Sequence, residues 1–201
     1  MSKRPPYQYL ADAGSIALVL FVVAAYRFFP GSVPDWAFTL AAIAAVGVLV
    51  CVLTELYLMF RDYREGHFFP LRNASFFVLL LSLGGIPLYL LYAWFTGAYL
   101  GPATLLLVPV FLTLATRNLF RVHLDSLSLR AKTGFRSPRE VALFNISEVE
   151  LNEDKITVRA DGQTPIQLLR VFFFPAHWEA IRGRLENLRS SGSPSSPGPR
   201  I

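Results

Sequence analysis

The chain has 201 residues, 53% of them hydrophobic and 16% charged, a mean hydropathy of +0.43, a formal net charge of +5 and a single cysteine. Charge so far below the quarter typical of soluble domains points to a membrane protein, and the lone Cys51 excludes an intrachain disulfide framework or thiolate metal cluster. The basic balance does not imply nucleic acid, because no stacking-plus-basic motif accompanies it; in a membrane protein, basic residues first set topology and meet anionic headgroups.

Four apolar runs follow one another: 13–29, 36–60, 74–95 and 102–116. A bilayer core takes about 20 helical residues, so the second and third runs suffice on length alone. The first and fourth are short, and each is extended at an end, the first by a snorkelling Arg27 and the fourth by Tyr99 and Leu100. Lys3, Arg4 and the small residues around Val23-Ala24-Ala25 also fit a cleaved signal sequence. Tyr26, Phe28 and Phe29 just beyond them favour a retained helix. Asp12 reads as a helix-start residue.

Orientation follows from the arginines. Lys3 and Arg4 precede the first run, Arg61, Arg64 and Arg72 join the second to the third, and Arg117 and Arg121 follow the fourth, with Arg27 alone on the other side. Short basic segments stay cytoplasmic, so both termini are expected inside. Gly84-Gly85-Ile86-Pro87 and Pro109 predict kinks in the third and fourth helices, either for packing or to build a broken-helix substrate site. Glu55 is the acidic residue inside a span, about 9 Å along the axis from Arg61. A salt bridge to Arg117, Arg121 or Arg72 is the first expectation, and proton or cation coupling the second.

From Phe120 the pattern changes to short alternating strands. Val122, Leu124, Leu127 and Leu129 flank an Asp125-Ser126 turn, then come Val141–Phe144, Val149–Leu151 and Ile156–Val158, and Asp161-Gly162 marks a hairpin into Ile166–Leu168. Pro175 opens a helix on which Trp178, Ile181, Leu185 and Leu188 recur at helical spacing. The Ser-Gly-Pro tail, 190–201, is expected to be disordered.

The stretches VHLDSLSLRA, ALFNISEVEL, KITVRADGQTPIQL and HWEAIRGRLENL resemble the bacterial pleckstrin-homology-like domains that are fused to membrane helices. The resemblance covers residues 122–188, with Leu143-Phe144-Asn145 in place of the usual Pro-Trp. It implies an antiparallel sheet or barrel capped by a C-terminal helix, serving as a binding or scaffolding domain without catalytic residues. The expected architecture is thus a four-helix transmembrane domain (1–118), a small cytoplasmic α+β domain (119–189) and a tail.

Within the second domain, Arg130, Lys132, Arg136 and Arg139 form a basic cluster suited to lipid or a partner. Phe172-Phe173-Phe174 is expected to be mainly core. His67, His123 and His177 lack metal-ligand spacing, and no Gly-x-Ser-x-Gly elbow, phosphate loop or dinucleotide fingerprint is present. His123 and Asp125 stand at i, i+2, as a proton-handling pair or as two polar residues on a half-exposed strand. The sequence therefore predicts no catalytic residues, cofactor or metal. It predicts a membrane-anchored adaptor, scaffold or accessory subunit that meets the bilayer and a protein partner or its own copies. The alternative is a small oligomeric transporter or channel using Glu55 and the two kinked helices.

Overall fold

The computed structural model describes residues 5–97, 101–133 and 138–192, with side chains to residue 187. The chain divides into two compact units, one from Met1–Asp62 and Ala74–Leu119, the other from Tyr63–Asn73 and the chain from Phe120 onward.

The first unit is helical. Helix α1 (Pro6–Val23) starts on prolines that fix φ and need no donor in the first turn, and it ends in a π-turn over Ala24–Phe28. Helix α2 (Asp35–Arg64) has 30 residues, α3 (Ala74–Thr96) has 23, and α4 (Pro102–Arg117) has 16. The first three, counting the π-turn with α1, are long and apolar enough to cross a membrane, while α4 is a shorter apolar helix. The chain enters its first helix at Pro6, earlier than the apolar run suggests, because amphipathic Tyr7, Gln8, Tyr9 and Asp12 add nearly two turns. Asp12 is therefore inside α1 and not at its start.

Both α3 and α4 continue as helices through Pro87 and Pro109. The bundle packs on small residues. Ala11, Leu18, Ala41, Ala45, Val48, Val52, Leu106 and Val110 are buried together. A Cβ added to Gly14 would lie 2.5 Å from Val48 Cγ2, so that glycine is what lets α1 approach α2. Ser15 Oγ donates to Thr113 Oγ1 at 3.2 Å, joining α1 to α4. Leu20, Ile43, Leu81 and Leu88 point outward and stay exposed, as lipid-facing side chains would.

The second unit is a sheet-and-helix fold. Strands β1 (Phe68–Pro70), β2 (Arg121–Leu124), β3 (Ser128–Lys132) and β4 (Arg139–Ala142) form one antiparallel sheet in that order. Strands β5 (Ile146–Leu151), β6 (Lys155–Ala160) and β7 (Ile166–Leu169) form a second, with an irregularity between Ile146 and Glu148. The β6–β7 turn uses Asp161 and Gly162, the latter at φ +69, a conformation that costs glycine little. Helix α5 (Pro175–Gly192) follows and runs past the Leu188 anticipated from the pattern. The rest of the predicted tail lies outside the described residues.

Alternation makes the core. Val122, Leu124, Leu129, Ala131 and Val141 turn inward from the first sheet, Ile156, Val158, Ile166 and Leu168 from the second, and Trp178, Ile181 and Leu185 from α5. Strand β1 comes from the α2–α3 connection, which the sequence reading treated only as a basic loop. It pairs with β2 through Phe68↔His123 and Pro70↔Arg121, and its Phe69 and Leu71 are buried in the same core. The unit is thus assembled from two stretches of chain that are separated by α3 and α4.

Candidate functional site

Glu55, on the cytoplasm-directed half of α2 by the sequence reading, is 5% exposed. Its Oε1 accepts from Arg117 Nη1 at 2.8 Å and from Gln8 Nε2 at 3.4 Å. The same guanidinium donates through Nε to Asp12 Oδ1 at 2.9 Å and through Nη2 to the Gln8 carbonyl at 3.2 Å. One arginine at the end of α4 therefore ties α1 and α2 together. The fork geometry of arginine suits this role, since its donors leave in different directions and reach two carboxylates and a carbonyl at once. Of the three arginines considered as partners for Glu55, the structure selects Arg117.

The sequence reading missed Asp12 and Gln8 as members of this cluster. Their signal was the i, i+4 spacing of two polar residues on one face of an otherwise apolar helix, visible only once α1 is started at Pro6.

The second candidate region is the basic cluster of the sheet unit. Arg130 donates to Glu140 at 2.9 Å across the β3–β4 pair. Arg139 Nη1 donates to the Pro165 carbonyl at 3.1 Å. Lys132 stands at the far end of β3, directly opposite Arg121 of β2. Arg136 lies outside the described residues. The three described members thus make different contacts.

The remaining polar candidates include Asp125 and His123 at the β2–β3 turn. Asp125 is beyond the end of β2, where it accepts from the backbone N–H of Leu127 at 2.7 Å and of Ser128 at 2.6 Å and so closes the β2–β3 turn. Burial works to raise its pKa, but those two bonds and the nearby His123 outweigh it and hold the carboxyl below its ordinary value. His123 Nδ1 is 3.8 Å from Asp125 Oδ2. Among the described residues no group of three or more His, Cys, Asp or Glu is placed to hold a metal.

His177 sits in α5 against the rings of Tyr63, Phe69 and Phe174, with centroids 5.4 to 5.8 Å away. Its Nδ1 is buried without a hydrogen-bond partner among the described residues, and burial pushes its pKa below the ordinary value. Of the Phe172–Phe174 run, Phe173 is core, Phe174 packs on His177 and Phe172 is 43% exposed.

Two apolar features remain. An open groove of about 630 Å³ lies between α3 and α4, lined by Ser82, Gly85, Tyr89, Thr104, Leu107 and Phe111 among others. In the sheet unit Leu127 is 72% and Phe144 83% exposed, and the Leu143 N–H donates to the Leu127 carbonyl at 2.8 Å, which holds the two loops together. Comparison of the chain with protein-family models, with curated proteins and with solved structures found no match.

Proposed function

We propose that the chain is a non-enzymatic multi-pass membrane protein whose four apolar helices anchor a pleckstrin-homology-like domain at the cytoplasmic face. There the domain acts as an adaptor, scaffold or accessory subunit of a membrane complex. The observation that carries this reading is the strong exposure of Leu127 and Phe144 on a unit with a continuous core. Large apolar side chains left in water are costly unless a partner covers them.

The domain assignment is supported by a four-stranded and a three-stranded antiparallel sheet followed by a C-terminal helix that brings Trp178, Ile181 and Leu185 to the core. Counting α4 as a span is supported by its burial against α1 and its apolar composition. Cytoplasmic termini are supported by the arginine asymmetry. A reporter fused at Gly31 should read as outside and one at Gly66 as inside, and the reverse pattern would overturn this topology.

The direct test of the adaptor role is co-isolation of the full chain with a protein at fixed stoichiometry, lost on Phe144→Ser. The groove between α3 and α4, with Ser82 and Thr104 at its wall, favours the second reading of a small oligomeric transporter. Against it, the Glu55 carboxylate is occupied by Arg117 and Gln8. Loss of ion or solute flux in Glu55→Gln with assembly intact would favour the transporter.

A further inference from the structure

We infer that the groove between α3 and α4 holds one acyl chain of a membrane phospholipid. The inference goes beyond the adaptor role and rests on the reading of α3 and α4 as membrane spans.

The shape of the groove follows from the sequence of α3. Ser82, Ile86 and Leu90 recur every four residues and lie in one row along the helix. With Leu107 and Val108 of α4 they form the floor, where Ser82 is buried and the others are half-buried. Leu81 and Tyr89 stand at the α3 rim and are exposed. The rim position between them is Gly85, which has no side chain, and a Cβ added there meets nothing within 4 Å. The opening is thus written into the sequence by one glycine. Of the three long apolar helices, α3 is also the one buried over the smallest share of its length.

Chemistry, length and polarity together choose the occupant. Ser82 Oγ donates to the Val78 carbonyl one turn earlier, so the hydroxyl on the floor is satisfied within its own helix. The rest of the floor is aliphatic, and no charged side chain lines the groove. Val78 to Leu90 takes twelve helical rises of about 1.5 Å, roughly 18 Å in all. One leaflet of a hydrocarbon core about 30 Å thick is roughly 15 Å deep, so the groove matches a single chain of one leaflet. The volume of about 630 Å³ is that of an ordinary small-ligand site, about 300–1,000 Å³. The other two hydroxyl residues of the lining, Tyr89 and Thr104, lie toward the α3–α4 connection, while Val78 and Phe111 lie at the far end. A phospholipid has the same order, with its esters near the surface and its hydrocarbon inward. The hold is dispersion summed along the chain, because a chain in the groove meets protein on two sides and one in the bulk bilayer does not.

The test is native mass spectrometry of the full chain released from nanodiscs of equal phosphatidylcholine and phosphatidylglycerol, with activation raised until loosely held lipid is stripped. Wild type should keep a single phospholipid, drawn from both headgroup classes alike because the groove wall carries no charge. Gly85→Leu puts a side chain into the open space and should lose that lipid. Gly84→Leu adds the same bulk at a glycine outside the groove lining, again with nothing within 4 Å of its Cβ, and should keep the lipid. Both changes raise helix propensity, so a thermal melt at or above that of wild type checks that each variant folds. Gly85→Ala, the smallest filling, should leave the fold intact and retain less lipid than wild type.

Retention in Gly85→Leu and Gly85→Ala equal to wild type, equal loss in Gly84→Leu, or retention of one headgroup class alone would overturn the inference. So would a wild-type dimer that becomes a monomer in Gly85→Leu with no lipid bound in either, which would give the groove to a second copy of the chain. An embedded chain that keeps no lipid overturns the groove's occupant alone. A chain that never enters the nanodisc overturns the reading of α3 and α4 as spans, a distinct outcome.

Discussion

Removing the guanidinium of Arg117 tests the helical unit most severely. Arg117→Ala deletes the 2.8 Å bond to Glu55, whose side chain is 6% exposed, and the 2.9 Å bond to Asp12. Leaving a buried carboxylate without its cation typically costs about 3–5 kcal/mol. A unit-charge attraction at about 4 Å and an effective dielectric of about 20 is near 4 kcal/mol, the same size. Glu55→Gln is milder, because the amide oxygen still accepts from Arg117 and only the charge assistance is lost, about 1–2 kcal/mol. In the double variant Glu55→Gln/Arg117→Ala no carboxylate is stranded at position 55, so its cost should fall short of the sum of the singles by at least about 1 kcal/mol. The assay is unfolding of the full chain in mixed micelles of increasing denaturing detergent, followed by tryptophan fluorescence. Additive costs, or an Arg117→Ala variant no weaker than Glu55→Gln, would refute the claim that this ion cluster locks α1, α2 and α4.

Trp178 is 1% exposed and packs on Phe173 with ring centroids 5.7 Å apart, so Trp178→Ala should cost about 3–5 kcal/mol and unfold the sheet unit while the helices remain inserted. A thermal melt of the sheet unit like that of wild type would mean that α5 does not close the core. His177, with its pKa depressed by burial, takes up its proton at lower pH in the fold than in the unfolded chain. Its contribution is therefore present above about pH 6.5 and lost as pH falls below that value. His177→Phe should flatten this part of the stability-versus-pH curve, and an unchanged slope would show that the titration belongs to another group.

Much of the architecture was legible because its signals are local. Long apolar runs mark α2 and α3, the Asp161-Gly162 turn marks the β6–β7 hairpin, and helical spacing from Trp178 marks α5. What escaped depends on distant chain. Phe68–Pro70 is too short to show alternation, and its partner strand begins some fifty residues later, after two helices. Likewise Asp12 becomes a site residue only when Arg117, far away in sequence, folds back onto α1. The basic cluster shows the same limit, since the sequence groups Arg130 and Arg139 but not their partners, the Glu140 carboxylate and the Pro165 carbonyl. Glu55 was found from the cost of an intramembrane charge, but its partner required the fold.

We propose that the helices anchor a domain whose exposed Leu127 and Phe144 meet another protein. The most direct measurement is the mass and composition of the complex carried by the full chain after gentle detergent extraction from its native membrane, for wild type, Phe144→Ser and Glu55→Gln. A second protein at fixed stoichiometry is expected with wild type and with Glu55→Gln, and its loss is expected with Phe144→Ser. A pure homo-oligomer in all three, together with loss of function in Glu55→Gln alone, would contradict it.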